Sequence, residues 1–304
     1  MVAKESDSNP VATGFWRELR DDLTALTKLR LSVLVVLTSL FGYFVAAKTM
    51  GDFSWSILWH ILLGTILAAF GASVFNQLME VDADKLMTRT SDRPLPSNRM
   101  PQPLAFILGW LLSAFGLIHL GVMVNVIAAG MGAATLLVYL FIYTPMKRAS
   151  SLNTIVGAVS GAIPPLIGWT GAGASLISFG ALFLFLLLFL WQMPHFAAIN
   201  WIYRDEYARG GFKMWSNEDE SGVRTGRIAV FFSALVVLFG IFFPLFAPDL
   251  EVWFAILGGL LGLAMLLLAL KFKKTGERAD ARRLFFYTLL YLPLMMVFAF
   301  LAWN

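Results

Sequence analysis

The amino-acid sequence predicts an all-α, polytopic membrane protein in which nine transmembrane helices surround a central cavity. Only 14% of its 304 residues are charged and 59% are hydrophobic, whereas a soluble domain carries about 25% charged residues. Long apolar runs recur, and about 20 apolar residues suffice to cross the hydrocarbon core of a bilayer. The basic residues, finally, fall almost entirely in alternate connections between these runs.

Each apolar run is interpreted as one membrane span. The predicted spans are Leu31–Ala47, Trp55–Phe75, Pro103–Gly121, Val122–Tyr143, Leu152–Trp169, Ala174–Pro194, Ile228–Phe246, Val252–Leu270 and Leu284–Trp303. The runs are apolar on every face, which favours helices over the alternating strands of a barrel. A helix also satisfies its own backbone hydrogen bonds where no water is present.

The distribution of lysine and arginine predicts the orientation. Of the 23 basic residues, all but Lys48 lie before Leu31 or in the connections after the second, fourth, sixth and eighth runs. Basic connections stay on the cytoplasmic side, so we expect a plasma-membrane protein with its N-terminus inside and its C-terminus outside. The connections after the second and sixth runs are long, and such loops commonly carry function.

Residues 1–28 are predicted to form a separate cytoplasmic or interfacial segment, and residues 29–304 the nine-helix domain. Apolar residues recur at helical spacing over residues 15–26 with basic residues between them. This pattern favours a helix lying on the membrane; an unanchored tail is the alternative. The polar start does not resemble a cleavable signal. Cysteine is absent, which excludes a thiol nucleophile or a cysteine metal site.

An acidic cluster directly follows the second apolar run. Asn76, Glu80 and Asp84 are spaced by four residues and therefore share one face of a helix, with Asp82 in the same turn. Clustered carboxylates repel one another unless a cation joins them, and Mg²⁺ takes one or two carboxylates together with substrate phosphates. The cluster predicts a Mg²⁺ site. The alternative is a solvated helix end of mutually paired charges.

Basic residues continue from this cluster. Lys85, Arg89, Arg93 and Arg99 follow it directly, and guanidinium groups bind phosphate oxygens in a bidentate manner. Carboxylates, a metal and arginines together indicate a diphosphate site. Lys147 and Arg148, after the fourth run, extend this surface or serve only as cytoplasmic anchors.

Two further features lie in the fifth and sixth runs. The fifth contains five helix-modifying residues, Gly157, Gly161, Pro164, Pro165 and Gly168. Glycines allow close helix packing and prolines open the hydrogen-bond ladder, so this run either packs normally or forms a broken helix lining a cavity. His195 directly follows the sixth run and is an iron ligand, a base or a hydrogen-bonded interfacial imidazole.

These segments together resemble the intramembrane prenyltransferase superfamily, and within it the haem O synthases (protohaem IX farnesyltransferases). The match runs from about residue 30 to the C-terminus. The first superfamily motif, Asn-x3-Asp-x3-Asp, corresponds to Asn76, Glu80 and Asp84, with Glu in the central position. The segments that resemble this subfamily are Arg89-Thr90, Arg93–Pro96, Tyr143–Pro145 with Lys147 and Arg148, Gly161–Pro165 and Trp191–Phe196.

The second superfamily motif is altered. Quinone-type members have two aspartates four residues apart; here the corresponding positions are Tyr203 and Tyr207, with Asp205 and Glu206 between them. A tyrosine-rich second loop resembles that of the haem O synthases.

The resemblance implies transfer of a farnesyl group from farnesyl diphosphate to a vinyl group of haem B, with addition of water, giving haem O. It also implies the partners: both substrates, the lipid bilayer and a haem A synthase, but no nucleic acid. The metal ligands expected from it are Asn76, Glu80, Asp82, Asp84 and Asp205. The catalytic residues expected are Asn76, Glu80, Asp84, Arg89, Arg93, Lys147 and Arg148, and the haem-binding residues are His195, as iron ligand, Tyr203, Arg204 and Tyr207.

Two other functions fit part of the pattern. The nearer is prenyl transfer to an aromatic quinone precursor. The more distant is a channel or transporter whose acidic cluster binds a permeating cation, but such a protein should carry ionisable residues deep within its spans. The Asp-Gly…Ala-Arg lead-in of the alcohol phosphotransferases is absent.

Overall fold

The computed structural model describes residues 10–304, with side chains from residue 16 onward, and this part of the chain is helical almost throughout. The helices are α1 (Pro10–Leu26), α2 (Leu29–Met50), α3 (Trp55–Leu86), α4 (Gln102–Met123), α5 (Val126–Leu137), α6 (Thr144–Ala149), α7 (Asn153–Ala162), α8 (Pro164–Gly171), α9 (Phe179–Ile202), α10 (Arg204–Arg209), α11 (Val223–Phe246), α12 (Trp253–Thr275) and α13 (Arg278–Ala302). A π-helical turn, Val138–Tyr143, joins α5 to α6. The all-α prediction is confirmed.

Eight helices of the described chain are long and apolar enough to cross a membrane, so the count of nine continuous spans is not confirmed. The predicted fifth span, Leu152–Trp169, is divided into α7 and α8, of 10 and 8 residues. Pro164 and Pro165 follow the break and supply no backbone N–H to the preceding turn, which explains the interruption.

The broken segment packs tightly on α2. A Cβ on Gly42 of α2 would collide with the Pro165 carbonyl, and one on Gly168 of α8 would collide with the Ser39 carbonyl. Small residues at these crossings therefore allow the two backbones to touch, as is common between helices in membranes.

Several span ends differ from the prediction. The second span continues for 32 residues as α3, so the acidic cluster lies on a helix that extends beyond the apolar run. The sixth begins at Phe179 and passes through Pro194 to Ile202. Hydropathy marks only the apolar part of a helix, and α3 continues past it because its last turns are buried by other elements.

The amphipathic segment forms α1, which is tied to the bundle at its C-terminal end. Gln77 of α3 donates from Nε2 to the carbonyls of Ala25 and Leu26, each at 2.8 Å. Arg99 forms a 2.9 Å ion pair with Asp22 of α1. That α1 lies on a membrane surface stays a prediction, as does the division at residue 28.

Candidate active site

A charged chamber of about 340 Å³ opens at one end of the helix bundle, between the C-terminal ends of α3 and α9 and the short helix α6. We call this end, which carries the connections after α3 and α9, the basic face. The acidic, lysine and arginine side chains lining the chamber are Lys28, Glu80, Asp84, Arg89, Arg93 and Lys147. Five of these six were predicted from the sequence as site residues.

The two carboxylates of the chamber are held by ion pairs. Lys147 Nζ lies 2.7 Å from Glu80 Oε1, and Arg93 Nη1 lies 2.7 Å from Asp84 Oδ2. Both carboxylate residues are buried. The second oxygen of Asp84, Oδ1, is buried without a hydrogen-bond partner. A buried carboxylate oxygen without a partner is costly, so a cation bound there would be stabilising.

Asn76 lies behind the chamber wall. It is fully buried and is not among the chamber-lining residues. Its Oδ1 accepts a hydrogen bond from Lys28 Nζ, and its Nδ2 donates to Thr144 Oγ1 at 3.1 Å. Both ends of the amide are therefore engaged by the protein.

Lys28 is a member of the site that sequence reasoning treated only as a topological charge. It precedes α2 in a left-handed conformation, with φ of 47°, which directs its side chain into the bundle. Burial, assisted by the charge of Arg93 and opposed by that of Glu80, lowers the pKa of Lys28 to about 7. In the sequence Lys28 and Arg30 both lie just before the first apolar run, and nothing in the local composition distinguishes Lys28 from Arg30.

The donor set fits one divalent cation, although the described side chains contain no group of three or more His, Asp or Glu residues with metal-binding geometry. Two carboxylates on one helix face, one with a free oxygen, match the number that Mg²⁺ takes when a substrate supplies phosphate oxygens. Glu80 and Asp84 would hold the ion. Lys147 and Arg93, now paired with them, could then turn to a phosphate.

An apolar chamber of about 220 Å³ continues inward from the charged one. Four residues line both chambers: Leu31, Tyr139, Tyr143 and Phe196. Gly157 and Gly161 of α7 form part of its wall, and a Cβ on Gly157 would lie 2.7 Å from the Tyr143 ring. The broken fifth segment therefore lines a cavity, as one of the two interpretations of its sequence proposed.

The second long connection covers the charged chamber with aromatic side chains. Tyr207 and Phe212 line the chamber, and the Arg89 guanidinium lies 5.0 Å from the Tyr203 ring centroid and 6.0 Å from that of Tyr207. Burial raises the pKa of Tyr207, against the opposing charge of Arg89. Lys213 N donates to the Lys147 carbonyl at 2.6 Å, which fixes this cover to α6.

Several predicted residues lie away from the chamber. Asp82 has an 88% exposed side chain and pairs with Lys85 at 3.7 Å. Asp205 pairs with Arg278 and Arg204 on the surface, and its hydrogen bond from Arg278 lowers the pKa of its carboxyl.

Arg204 and Arg148 are also outside. The Arg204 guanidinium covers the Trp201 ring at 4.7 Å and donates to the Asp219 carbonyl at 2.9 Å. Arg148 follows Lys147 but is not among the lining residues. The structure thus does not bring Arg148, Arg204, Asp82 or Asp205 to the face of α3 that carries Glu80 and Asp84, which we call the acidic face.

His195 faces α13 rather than either chamber. Its Nδ1 lies 2.8 Å from Thr288 Oγ1, and its ring stacks between Trp191 and Phe285, at centroid distances of 5.3 and 4.9 Å. The contact with Thr288 engages Nδ1, so a ligand could bind only through Nε2.

The two joined chambers define what the site can bind. The outer one presents four cations and two carboxylates, and the inner one is lined mainly by apolar side chains. This arrangement fits an amphiphile with a polyanionic head and a hydrocarbon chain. The bond between head and chain would lie at the two tyrosines that line both chambers.

Comparison with known proteins agrees with this geometry. The UbiA prenyltransferase family matches residues 35–291. The protoheme IX farnesyltransferase of Opitutus terrae is 39% identical over 278 residues, covering 90% of this chain and 92% of that protein. The mitochondrial protoheme IX farnesyltransferase of Arabidopsis thaliana is 38% identical over 89% of this chain. The chain spans 62% of the length of that longer plant relative.

Solved structures share the fold at low identity. A digeranylgeranylglyceryl phosphate synthase matches 94% of this chain and 98% of its own length with a TM-score of 0.76 and 13% identity. A UbiA homologue from Archaeoglobus fulgidus, bound to GPP and Mg²⁺, matches 91% of this chain and 99% of its own with a TM-score of 0.68 and 16% identity. The chain is thus an integral membrane prenyltransferase, and it belongs to the UbiA prenyltransferase family.

Proposed function

We propose that this enzyme transfers the farnesyl group of farnesyl diphosphate to a vinyl group of haem B, with addition of water, giving haem O and diphosphate. The observation that carries the proposal is the junction of a charged chamber with an apolar one. The relatives named as protoheme IX farnesyltransferases supply the choice of prenyl donor and acceptor.

The chamber residues act on the leaving group. Arg89, Arg93 and Lys147 would bind the diphosphate oxygens and stabilise the charge that grows on them as the C1–O bond breaks. The electron pair of that bond goes to the diphosphate and leaves an allylic cation. The apolar chamber keeps water from this cation, the vinyl group attacks it, and water then adds to the new cation and loses a proton.

Glu80 and Asp84 are the proposed Mg²⁺ ligands, supported by the free Asp84 Oδ1. When bound, Mg²⁺ would neutralise diphosphate charge as a Lewis acid. Asn76, which the motif also nominates, would reach the ion only by exchanging its present partners, Lys28 and Thr144.

His195 remains our proposed haem-iron ligand. Tyr203, Arg204 and Tyr207 remain proposed haem-binding residues. The support for His195 is its Nδ1 contact with Thr288, which orients the ring. We expect His195→Ala to lower haem affinity and change the haem absorption spectrum. An unchanged spectrum and affinity would remove His195 from the site.

The proposed orientation places the basic face in the cytoplasm of a plasma-membrane protein. Ser91 on the basic face and Ser175 at the opposite end are both exposed, and the chain has no native cysteine. In intact cells, an impermeant thiol reagent should label Ser175→Cys and spare Ser91→Cys. The reverse result would invert the topology.

The deciding experiment supplies the purified enzyme in vesicles with haem B, farnesyl diphosphate and Mg²⁺ and detects haem O by mass. A parallel reaction replaces haem B with an aromatic quinone precursor. Prenylation of the quinone precursor alone would overturn the proposal. Co-purification with a haem A synthase would test the partner that we expect to receive the product.

A further inference from the structure

The π-helical turn Val138–Tyr143 lies at the junction of the two chambers. Its two tyrosines, Tyr139 and Tyr143, line both chambers and stack with ring centroids 5.5 Å apart and an interplanar angle of 29°. A prenyl diphosphate with its head outside and its chain inside would place the breaking C1–O bond beside these rings. Aromatic faces stabilise positive charge, and the allylic carbon becomes positive at this point.

A π-helical turn is rare, and such turns occur frequently at functional sites. Here one buried residue secures it. Thr144 is only 4% exposed; its backbone N–H donates to the Tyr139 carbonyl, and its Oγ1 donates to the same carbonyl at 2.8 Å. One carbonyl thus accepts two hydrogen bonds from a single residue.

The same hydroxyl connects the turn to the acidic helix. Thr144 Oγ1 accepts the 3.1 Å hydrogen bond from Asn76 Nδ2, and Asn76 is one helical turn from Glu80 on α3. Four residues beyond Tyr143, Lys147 contacts Glu80 at 2.7 Å and lies 4.6 Å from the Tyr143 ring centroid. The Asn76–Thr144–Tyr139 chain of hydrogen bonds therefore fixes the distance between the acidic face and the tyrosines.

We propose that Thr144 is a positioning residue for prenyl transfer, which holds the π-helical turn so that Tyr139 and Tyr143 face the breaking bond. It lines neither chamber, so it acts through the tyrosines and through Asn76. The inference rests on the proposed function, because it assumes a prenyl diphosphate seated across the junction.

Thr144→Val tests this, because valine keeps the shape and removes the hydroxyl. Misplacement of reacting groups by about 1 Å can cost roughly 100-fold in rate. We expect kcat to fall by about 10- to 100-fold while KM for farnesyl diphosphate changes less than about threefold. Thr144→Ser, which restores the hydroxyl, should recover most of kcat. Thr144→Ala serves as the hydroxyl-free variant if valine prevents folding.

Thr170→Val is the matched control. Thr170 is 2% exposed, its hydroxyl donates to the Leu166 carbonyl of its own helix at 2.7 Å, and it lines neither chamber. It should keep wild-type kcat. A kcat for Thr144→Val equal to that control, or no recovery in Thr144→Ser, would overturn the proposal.

A double-mutant cycle with Asn76→Ala gives an independent result. If the two residues act as one unit, the combined kcat loss should not exceed the larger single loss. If the kcat loss of the double variant instead equals the product of the two single losses, Thr144 does not act with Asn76. That result would overturn the proposed chain of hydrogen bonds. Wild-type enzyme that makes no haem O would instead refute the proposed function, which separates the two failures.

Discussion

The end of α3 with the connection after it (residues 76–101) and the connection after α9 (residues 203–222) both carry acidic and basic side chains. They differ in which of those side chains line the charged chamber: none of the carboxylates of the second region does. Glu80 and Asp84 are buried in the charged chamber, while Asp205 is paired with Arg278 on the surface. Glu80 and Asp84 are buried because the last turns of α3 pack against other elements, whereas Asp205 of α10 has a 60% exposed side chain.

The second region contributes aromatic cover instead of carboxylates. Tyr207, Phe212 and Met214 close the chamber over the cations, and Arg89 joins the two regions through the Tyr203 and Tyr207 rings. The site therefore has one acidic wall and one aromatic wall. A second metal site is not needed to explain this geometry, since we propose that the acidic wall holds the charged head group through a bound cation and that the aromatic wall excludes water.

Exchange of one carboxylate in each region gives the largest expected contrast. Asp84→Asn should lower haem O formation more than about 100-fold, as expected when a preorganised group that stabilises transition-state charge is lost. Asp205→Asn is the matched control and should stay within about twofold, because its carboxylate lies on the surface. Formation of haem O by mass measures both.

Similar losses in the two variants would mean that the second region also supplies a metal ligand. Near-normal turnover by Asp84→Asn would remove the metal site from α3. Glu80→Asp, which keeps a carboxylate, should retain more activity than Glu80→Ala and so checks that the charge itself is required.

A smaller contrast is expected between two arginines. Arg89 lines the chamber, whereas Arg209 pairs with Glu206 and is 53% exposed. Arg89→Leu should raise KM for farnesyl diphosphate by about tenfold, because a charge-assisted hydrogen bond contributes about 1.5 kcal/mol or more. Arg209→Leu should change KM by less than about twofold. An equal rise in KM in the two variants would show that Arg209 binds the head group as strongly as Arg89 does. The contrast between the chamber cation and the exposed arginine would then be wrong.

The sequence predicted the acidic wall well and the other parts of the site less well. Four-residue spacing is a direct property of the helix, so Glu80 and Asp84 could be placed on one face without coordinates. Asp82 and Asp205 were included by proximity in sequence, which carries no information on direction. The role of Lys28 depends on a left-handed backbone at a single residue, and local composition does not reveal it.

The helices were predicted more reliably than their interruptions. Apolar length marks a span, but it does not distinguish a continuous helix from α7 and α8, since Ile163 and the prolines after it are also apolar. Pro194 shows the opposite case, because α9 continues through it. The π-helical turn is equally invisible to hydropathy, although it brings Tyr139 into the site. Tertiary packing decides whether a proline interrupts a helix, as Pro164 does, or is tolerated within it, as Pro194 is.

The smallest effect concerns stability at the surface pair of the second region. Arg278 lowers the pKa of the Asp205 carboxyl below its ordinary value of 3.8, so the pair stabilises the fold above about pH 4 and this contribution is lost as the pH falls through the lowered value. Both side chains are more than half exposed, so solvent screening limits the contribution to under about 1 kcal/mol. Asp205→Asn should therefore lower the melting temperature in detergent by less than about 4 °C at pH 7. The difference from wild type should shrink as the pH falls below about 4 and disappear once the pH is below the lowered pKa of that carboxyl. A large loss at pH 7 that persists below the lowered pKa would show that Asp205 supports the fold through packing rather than charge. The two acidic regions would then differ in function rather than in burial.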